Sequence, residues 1–556
     1  MQRLQYEPEL APGVGRVVGP STAPRLKQAN PSRFWPRVQP WVSQAVRALP
    51  IILLLLLFNV TGLRGVDYGY HWDEAGWHTG PARTMIQTGV LLPKSYIYPS
   101  LDKWLVILPA VPAAIQSVLE VGVRTLPIQT AMLAVMDAPD YLLRVRAVFI
   151  VVSSLGILWV YGAAMALGHR RWQALVAAAC LALSWEYAYH SRWAVTDCIL
   201  TQFSALTLYM LALYQRRGNR RWLYAAAVAA GLGTGTKYTG VFLLVPVLYA
   251  GALTLPLGSL RAQARRAVEV CAIAFGTYLL TTPATVLDPF LFINETHYIS
   301  TYYMHDHGGF TATSAWHHGW IVLSYFALAY FSPSHWLAAL EFAFCIAGLL
   351  LWLKGRPRFG LVVAGFPLLF LIFFCFRYRV VMVRNYLFLV PFMALLLARA
   401  VSDFMRWLPR RPLKYAFAAG LVAVLFVQAS WLVIAGESIR HFEPALYVSQ
   451  ALDYVRDHAD TRFRISSQVR ALARQHGFDL PPNVASGSEG SQVVFFGKAE
   501  GPADPYKWAT NDPFLTKAVF GQQEVNFNWY SSWFGNDHVV IMDLKRAKDT
   551  GVQPAQ

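Results

Sequence analysis

A chain of 556 residues with 55% hydrophobic and only 14% charged side chains, and a positive mean hydropathy, is not a single soluble domain; it has the composition of a protein with many membrane spans. The formal net charge of +17 would suit nucleic acid in a soluble protein. Here Lys and Arg collect between apolar runs, where membrane topology accounts for them and nucleic-acid binding does not. All five cysteines (Cys180, Cys198, Cys271, Cys345, Cys375) fall inside apolar segments, which excludes a disulfide framework or a spaced metal site in the polar stretches and reads as buried thiols.

In chain order, residues 1–46 are Pro- and Arg-rich without hydrophobic periodicity and read as a disordered basic tail on the cytoplasmic side. The apolar run after it carries no A-x-A-like cleavage site and reads as a retained anchor. Runs of roughly 17–25 residues, long enough to cross a bilayer, are expected near 47–63, 144–167, 173–190, 198–215, 222–236, 239–257, 268–283, 335–353, 360–376, 387–405 and 415–435, about eleven in all. The basic loops "GHRRW", "QRRGNRRW", "RAQARR", "LKGRPRFG" and "RWLPRRPLK" alternate with poorly basic ones, which places them and the N-terminus in the cytoplasm.

That alternation leaves 64–143 outside as a long first loop. The apolar stretch 101–120 within it is laid along the outer interface, because a crossing there would reverse every later basic loop. The same parity puts 190–197, 284–334, 376–385 and the C-terminal region outside. Residues 436–556 change character: a charged stretch of helical periodicity is followed by "QVVFFG" and "HVVIMDL", two short β-rich runs, which predicts a small extracytoplasmic α/β domain. The expected fold is an α-helical polytopic protein of the plasma (inner) membrane, with 47–435 as its transmembrane domain. No fixed-period repeat is present.

Chemistry is concentrated at the outer span ends. "GYHWDEAGWHTG" (69–80) sets Asp73 and Glu74 just past the first span, and "SRWAVTD" sets Asp197 at the mouth of another. A lone acidic pair reads as a solvated loop. Carboxylates from two elements facing one cavity suit general-base work or a divalent ion. Lys103, Arg146, Lys237 and Arg384 map to the same outer face against the positive-inside bias. Singly, each reads as a side chain reaching lipid head groups. Together they form a cationic pocket for a phosphate or pyrophosphate at the membrane surface. His297, His305, His307, His317 and His318 with Asp306 form a His-rich outer stretch whose spacing matches no closed zinc site, and they read as structural or acceptor-contacting.

The order of the Asp-Glu pair, "YPSLDKWL", "RVRAVF", "SRWAVTD", "GLGTGTKYTG" and a late "RNYLFLVP" resembles the GT-C superfamily of polyprenyl-phosphate-sugar-dependent glycosyltransferases, with protein O-mannosyltransferases and bacterial lipid A aminoarabinose transferases as the nearest groups. The resemblance covers about 45–435. It implies a GT-C type fold, Asp73 as catalytic base with Glu74 beside it, Asp197 as the later acidic residue, and Lys103 and Arg146 as donor-phosphate contacts. The mannosyltransferase group has His where this chain has Tyr98 and Pro where it has Ser100, and the Glu-Lys pair of the aminoarabinose group is absent. The acceptor, whether protein, lipid or glycan, therefore stays open, while the lack of recognisable MIR-type repeats points to a bacterial enzyme.

The expected reaction is transfer from a polyprenyl-phosphate sugar to an acceptor hydroxyl on the outer face, inverting at the anomeric carbon. The alternative is a polytopic transporter or lipid flippase, which would need repeated halves and ionisable residues deep in its spans; neither is legible. A scaffold anchored in the membrane would need one span only.

Overall fold

The computed structural model describes residues 39–67, 73–253, 260–305, 311–355, 357–440, 444–485, 490–496, 516–521 and 538–543. The chain divides into two units, 1–49 and 50–556. The expected N-terminal tail falls almost entirely outside the described residues.

Seven described helical segments are long and apolar enough to cross a membrane: Arg47–Arg64, Leu101–Val121, Tyr141–Ala166, Thr196–Arg217, His335–Gly355, Val383–Trp407 and Arg411–Glu437. The protein is an α-helical polytopic membrane protein. Several of the eleven expected spans differ from this set for visible reasons. The run expected at 173–190 is a 12-residue helix, Arg171–Ala182, that breaks at Leu183 and Ser184 before the short helix Trp185–His190. That expected at 239–257 begins as a 3₁₀ turn, Tyr238–Leu243, and that at 360–376 as a π-helical turn, Leu361–Gly365. Leu101–Val121 has the length and composition of a span, unlike its reading as an interfacial stretch. It is built of three pieces, Leu101–Ile107, Leu108–Ala110 and Val111–Val121, because Pro109 and Pro112 interrupt regular helical bonding.

One buried core joins the long helices. Tyr141–Ala166 packs along Thr196–Arg217, which packs along Arg220–Thr236, and that helix in turn packs along Leu260–Thr281. Small residues permit the close approaches. A β-carbon at Gly231 would meet the Ala274 carbonyl, and one at Gly240 would strike the backbone of Gly233 and Thr234. The second contact lets Tyr238–Leu243 fold back on the end of Arg220–Thr236. Lys237 is left extended at that corner, its N–H donating to the Gly233 carbonyl at 3.0 Å. Of the cysteines, four are buried and Cys271 is exposed on Leu260–Thr281.

In the C-terminal region, strands β1 (Phe463–Ile465), β2 (Gln492–Phe496), β3 (Thr516–Gly521) and β4 (His538–Asp543) form one sheet of order β1-β2-β4-β3. The β1–β2 pair is parallel and the others antiparallel. Helices Pro444–Asp457 and Ser467–Gln475 cover it around a separate apolar cluster that includes Leu452, Phe463, Val494 and Ile541. The β-rich runs read from the sequence are β2 and β4.

The Gly240 corner yields a test. Gly240→Ala should destabilise the protein by about 1–3 kcal/mol, the usual cost of overpacking, and lower its melting temperature in detergent. Gly276→Ala, where an added β-carbon meets nothing within 4 Å, should be neutral or slightly stabilising. Equal melting temperatures for the two variants would show that the corner does not need glycine.

Candidate active site

Four structural corners meet at one end of the helices. Asp73 precedes a π-helical turn, Glu74–Thr79, a backbone form that recurs at functional sites. Asp197 lies in the first turn of Thr196–Arg217, where the helix N-terminus favours a carboxylate. Lys237 ends Arg220–Thr236, and Arg384 and Asn385 lie in the 3₁₀ turn Val383–Leu389 that opens the next long helix.

These side chains form one buried network. Arg384 Nη2 donates to Asp73 Oδ2 at 2.6 Å, and its Nε lies 3.7 Å from Asp197 Oδ2. Lys237 Nζ donates to Asp197 Oδ1 and to Asn385 Oδ1, each at 2.6 Å. Asp73, Asp197, Lys237 and Arg384 are all less than 9% exposed. Two carboxylates and two cations balance, as buried charge requires.

Two further pairs flank it. Arg146 grips Glu74 with two bonds, Nε to Oε1 at 2.9 Å and Nη2 to Oε2 at 2.6 Å, while Nη1 donates to the Val66 carbonyl at 2.9 Å. The Ala194 N–H also donates to Glu74 Oε1 at 2.8 Å, and the guanidinium lies 4.9 Å from the Trp193 ring centroid. Glu74 and Arg146 therefore fasten the Asp73 turn to Tyr141–Ala166 and to the segment before Asp197. Lys103 Nζ donates to Asp102 Oδ1 at 3.1 Å, and Asp102 Oδ2 is paired with His78 Nδ1.

All seven residues expected from the sequence are thus buried at this end of the molecule. Asp73, Asp197, Lys237 and Arg384 share one network, and Glu74–Arg146 and Lys103–Asp102 stand beside it. Sequence reasoning missed Asn385, Asp102 and His78. Asn385 follows Arg384 directly, and its amide reaches the Tyr303 hydroxyl at 3.4 Å. Asp102 and His78 stood inside motifs already quoted, yet their pairing spans 24 residues and has no local signature. Tyr98 has Lys103 and Lys237 at 5.7 and 5.8 Å from its ring centroid. Burial, reinforced by the Asp73 carboxylate, pushes its phenol well above the usual range.

Among the described residues, the histidines of the stretch do not gather into one group. His318 bonds the Tyr378 carbonyl and the Tyr386 hydroxyl, and His317 accepts from Thr313 N–H at 3.1 Å. Asp306 and His307 lie outside the described residues. Among the described residues, no group of three or more His, Cys, Asp or Glu is arranged to hold a metal ion.

A family model described as dolichyl-phosphate-mannose-protein mannosyltransferase matches residues 132–297, the segment that supplies Arg146, Asp197 and Lys237. No curated protein matches the chain. Among solved structures, ArnT from Cupriavidus metallidurans in the apo state is similar at 13% identity, covering 93% of this chain and 100% of that one, with a TM-score of 0.48. The same protein bound to undecaprenyl phosphate is similar at 14% identity, over 91% and 98% of the two chains, with a TM-score of 0.43. The S. cerevisiae protein O-mannosyltransferase Pmt1-Pmt2 complex bound to the sugar donor is 18% identical over 48% of this chain and 35% of that one, with a TM-score of 0.32. The likeness to the mannosyltransferase family model is confined to 132–297, and within a many-span helical protein it falls on the segment that supplies Arg146, Asp197 and Lys237 to the buried charged cluster.

Proposed function

We propose that the protein transfers a sugar from a polyprenyl-phosphate-linked donor to an acceptor hydroxyl at the outer face of the membrane, by a single displacement that inverts the anomeric carbon. The observation that carries this reading is the neutral buried quartet of Asp73, Arg384, Asp197 and Lys237. A donor phosphate brings negative charge to a site whose cations are already paired. It competes with the carboxylates for Arg384 and Lys237 and loosens the hold on Asp73. Asp73, once its bond from Arg384 loosens, takes the proton of the acceptor hydroxyl as that oxygen attacks. Asp197 keeps Lys237 and Arg384 in place, and Glu74 with Arg146 fixes the turn that carries the base. The acceptor is a protein, lipid or glycan hydroxyl; nothing in the quartet selects among them.

Asp73→Asn retains shape and most hydrogen bonding but is a poor proton acceptor. With purified enzyme and a labelled polyprenyl-phosphate hexose, its turnover should fall at least about 100-fold, the lower range for a lost general base, while Glu74→Gln falls less. Near-normal transfer by Asp73→Asn would remove Asp73 from the mechanism.

Lys237→Met should weaken use of the donor by about 1.5–3 kcal/mol, the cost of a lost charge-assisted contact, read as a roughly 10- to 150-fold drop in kcat/KM for donor. An unchanged value would take the lysine out of the phosphate site.

Orientation follows from the basic loops. A cysteine at Ala503 in a Cys271→Ser background should react with an impermeant maleimide in intact cells. Reaction only after permeabilisation would place the site on the cytoplasmic face.

A further inference from the structure

The resemblance implies that Lys103 holds the donor phosphate, but its ammonium is fully occupied. Lys103 is buried with no exposed surface, and its three N–H donors have three acceptors: Asp102 Oδ1 at 3.1 Å, the Pro99 carbonyl at 3.0 Å and the Tyr98 carbonyl at 3.3 Å. Two of these are backbone oxygens of the turn just before it. Asp102 is held from its other side by His78 Nδ1, and both are fully buried. The Lys103–Asp102–His78 row is thus a clamp on the Tyr98–Pro99 turn, and the His78 ring lies against the Tyr98 ring with centroids 5.1 Å apart.

The rest of the loop is pinned in the same sense. The Tyr96 N–H is bonded to Glu295, the Tyr96 carbonyl accepts from the Tyr238 hydroxyl at 2.7 Å, and the Ser100 N–H donates to Thr282 Oγ1 at 3.2 Å. Tyr98 is different: it is only half-buried, and among the described residues its hydroxyl has no hydrogen-bond partner. Its ring stands near Lys237, and Asp73 acts on its phenol electrostatically. A pinned turn that presents a hydroxyl unpaired among the described residues, on a ring beside the Lys237 cation and within the field of the Asp73 carboxylate, has the form of a preorganised oxyanion contact.

We propose that Tyr98 is a catalytic residue that donates a hydrogen bond to the departing phosphate, and that Lys103, Asp102 and His78 are positioning residues that hold it there, with Lys103 making no phosphate contact of its own. This rests on the transfer reaction proposed above. In that reaction the acceptor oxygen bonds to the anomeric carbon and its proton goes to Asp73. The bond from that carbon to the phosphate oxygen breaks, and the electron pair leaves with the phosphate. Charge grows on that oxygen as the bond breaks, so a neutral phenol bonded to it stabilises the transition state more than the bound donor. The phenol keeps its proton throughout.

A double-mutant cycle separates this from direct phosphate binding by Lys103. Tyr98→Phe should lower kcat roughly tenfold or more, with donor KM changed by less than about threefold. Lys103→Met should lower kcat similarly, and Tyr98→Phe/Lys103→Met should be no worse than the poorer single variant within about threefold, since the clamp acts through Tyr98. Multiplicative losses, roughly 100-fold or more, together with a raised donor KM for Lys103→Met, would overturn the proposal. If Lys103→Met does not purify as a folded protein, Asp102→Asn makes the same distinction. A clamp predicts a lower kcat that is non-additive with Tyr98→Phe, whereas a phosphate-binding lysine released from its carboxylate predicts an unchanged or lower donor KM with kcat retained. Wild-type enzyme that transfers no sugar from any polyprenyl-phosphate donor would instead refute the transfer reaction itself.

Discussion

Arg384 is shared between Asp73 and Asp197, and the rest of this end of the molecule is arranged around that sharing. Three ionised groups in a buried setting are tolerable only if a fourth balances them. Lys237 does so from the end of a different helix. Removing one member of a buried ionic set typically costs about 3–5 kcal/mol, because the remaining charges are left uncompensated. The four corners that carry the quartet are therefore bound to one another through charge as well as through packing.

The helices below make this possible by packing closely. Gly231 and Gly240 let Arg220–Thr236 and its following turn approach their neighbours closely enough for Lys237 to reach Asp197. Glu74 plays the equivalent part on the other side, where two bonds from Arg146 and one from the Ala194 N–H hold the π-helical turn beside Asp73. Irregular backbone carries the buried cluster: a π-helical turn, two 3₁₀ turns and an extended lysine. Such backbone survives at membrane depth only where it is enclosed by protein or lines a cavity.

Much of the buried charged cluster proposed as the site was legible in the sequence because a charged residue at the end of an apolar run is rare and needs a partner. That reasoning found Asp73, Glu74, Asp197, Lys103, Arg146, Lys237 and Arg384. It could not see which charge pairs with which. Arg146 reads as a phosphate ligand by position, whereas in three dimensions it meets Glu74, 72 residues away. Asn385 and His78 are uncharged or weakly charged and look ordinary in one dimension. The fold was legible at the level of long apolar helices and the two β-rich runs. Segments such as 173–190 read as single spans because hydropathy averages across the break at Leu183 and Ser184. Strand β3 lacks the strong apolar pattern of β2 and β4, and its partnership with β4 appears only in the sheet.

The claim on which the account turns is that donor phosphate and Asp73 compete for Arg384. The most direct measurement is the affinity of purified wild-type and Asp73→Asn protein for polyprenyl monophosphate at one detergent and salt concentration. Competition predicts that Asp73→Asn binds the phosphate several-fold more tightly than wild type while failing to turn over, since removing the carboxylate frees the guanidinium. Binding weakened by Asp73→Asn would contradict it, because Asp73 would then be supporting the phosphate site and not contesting it.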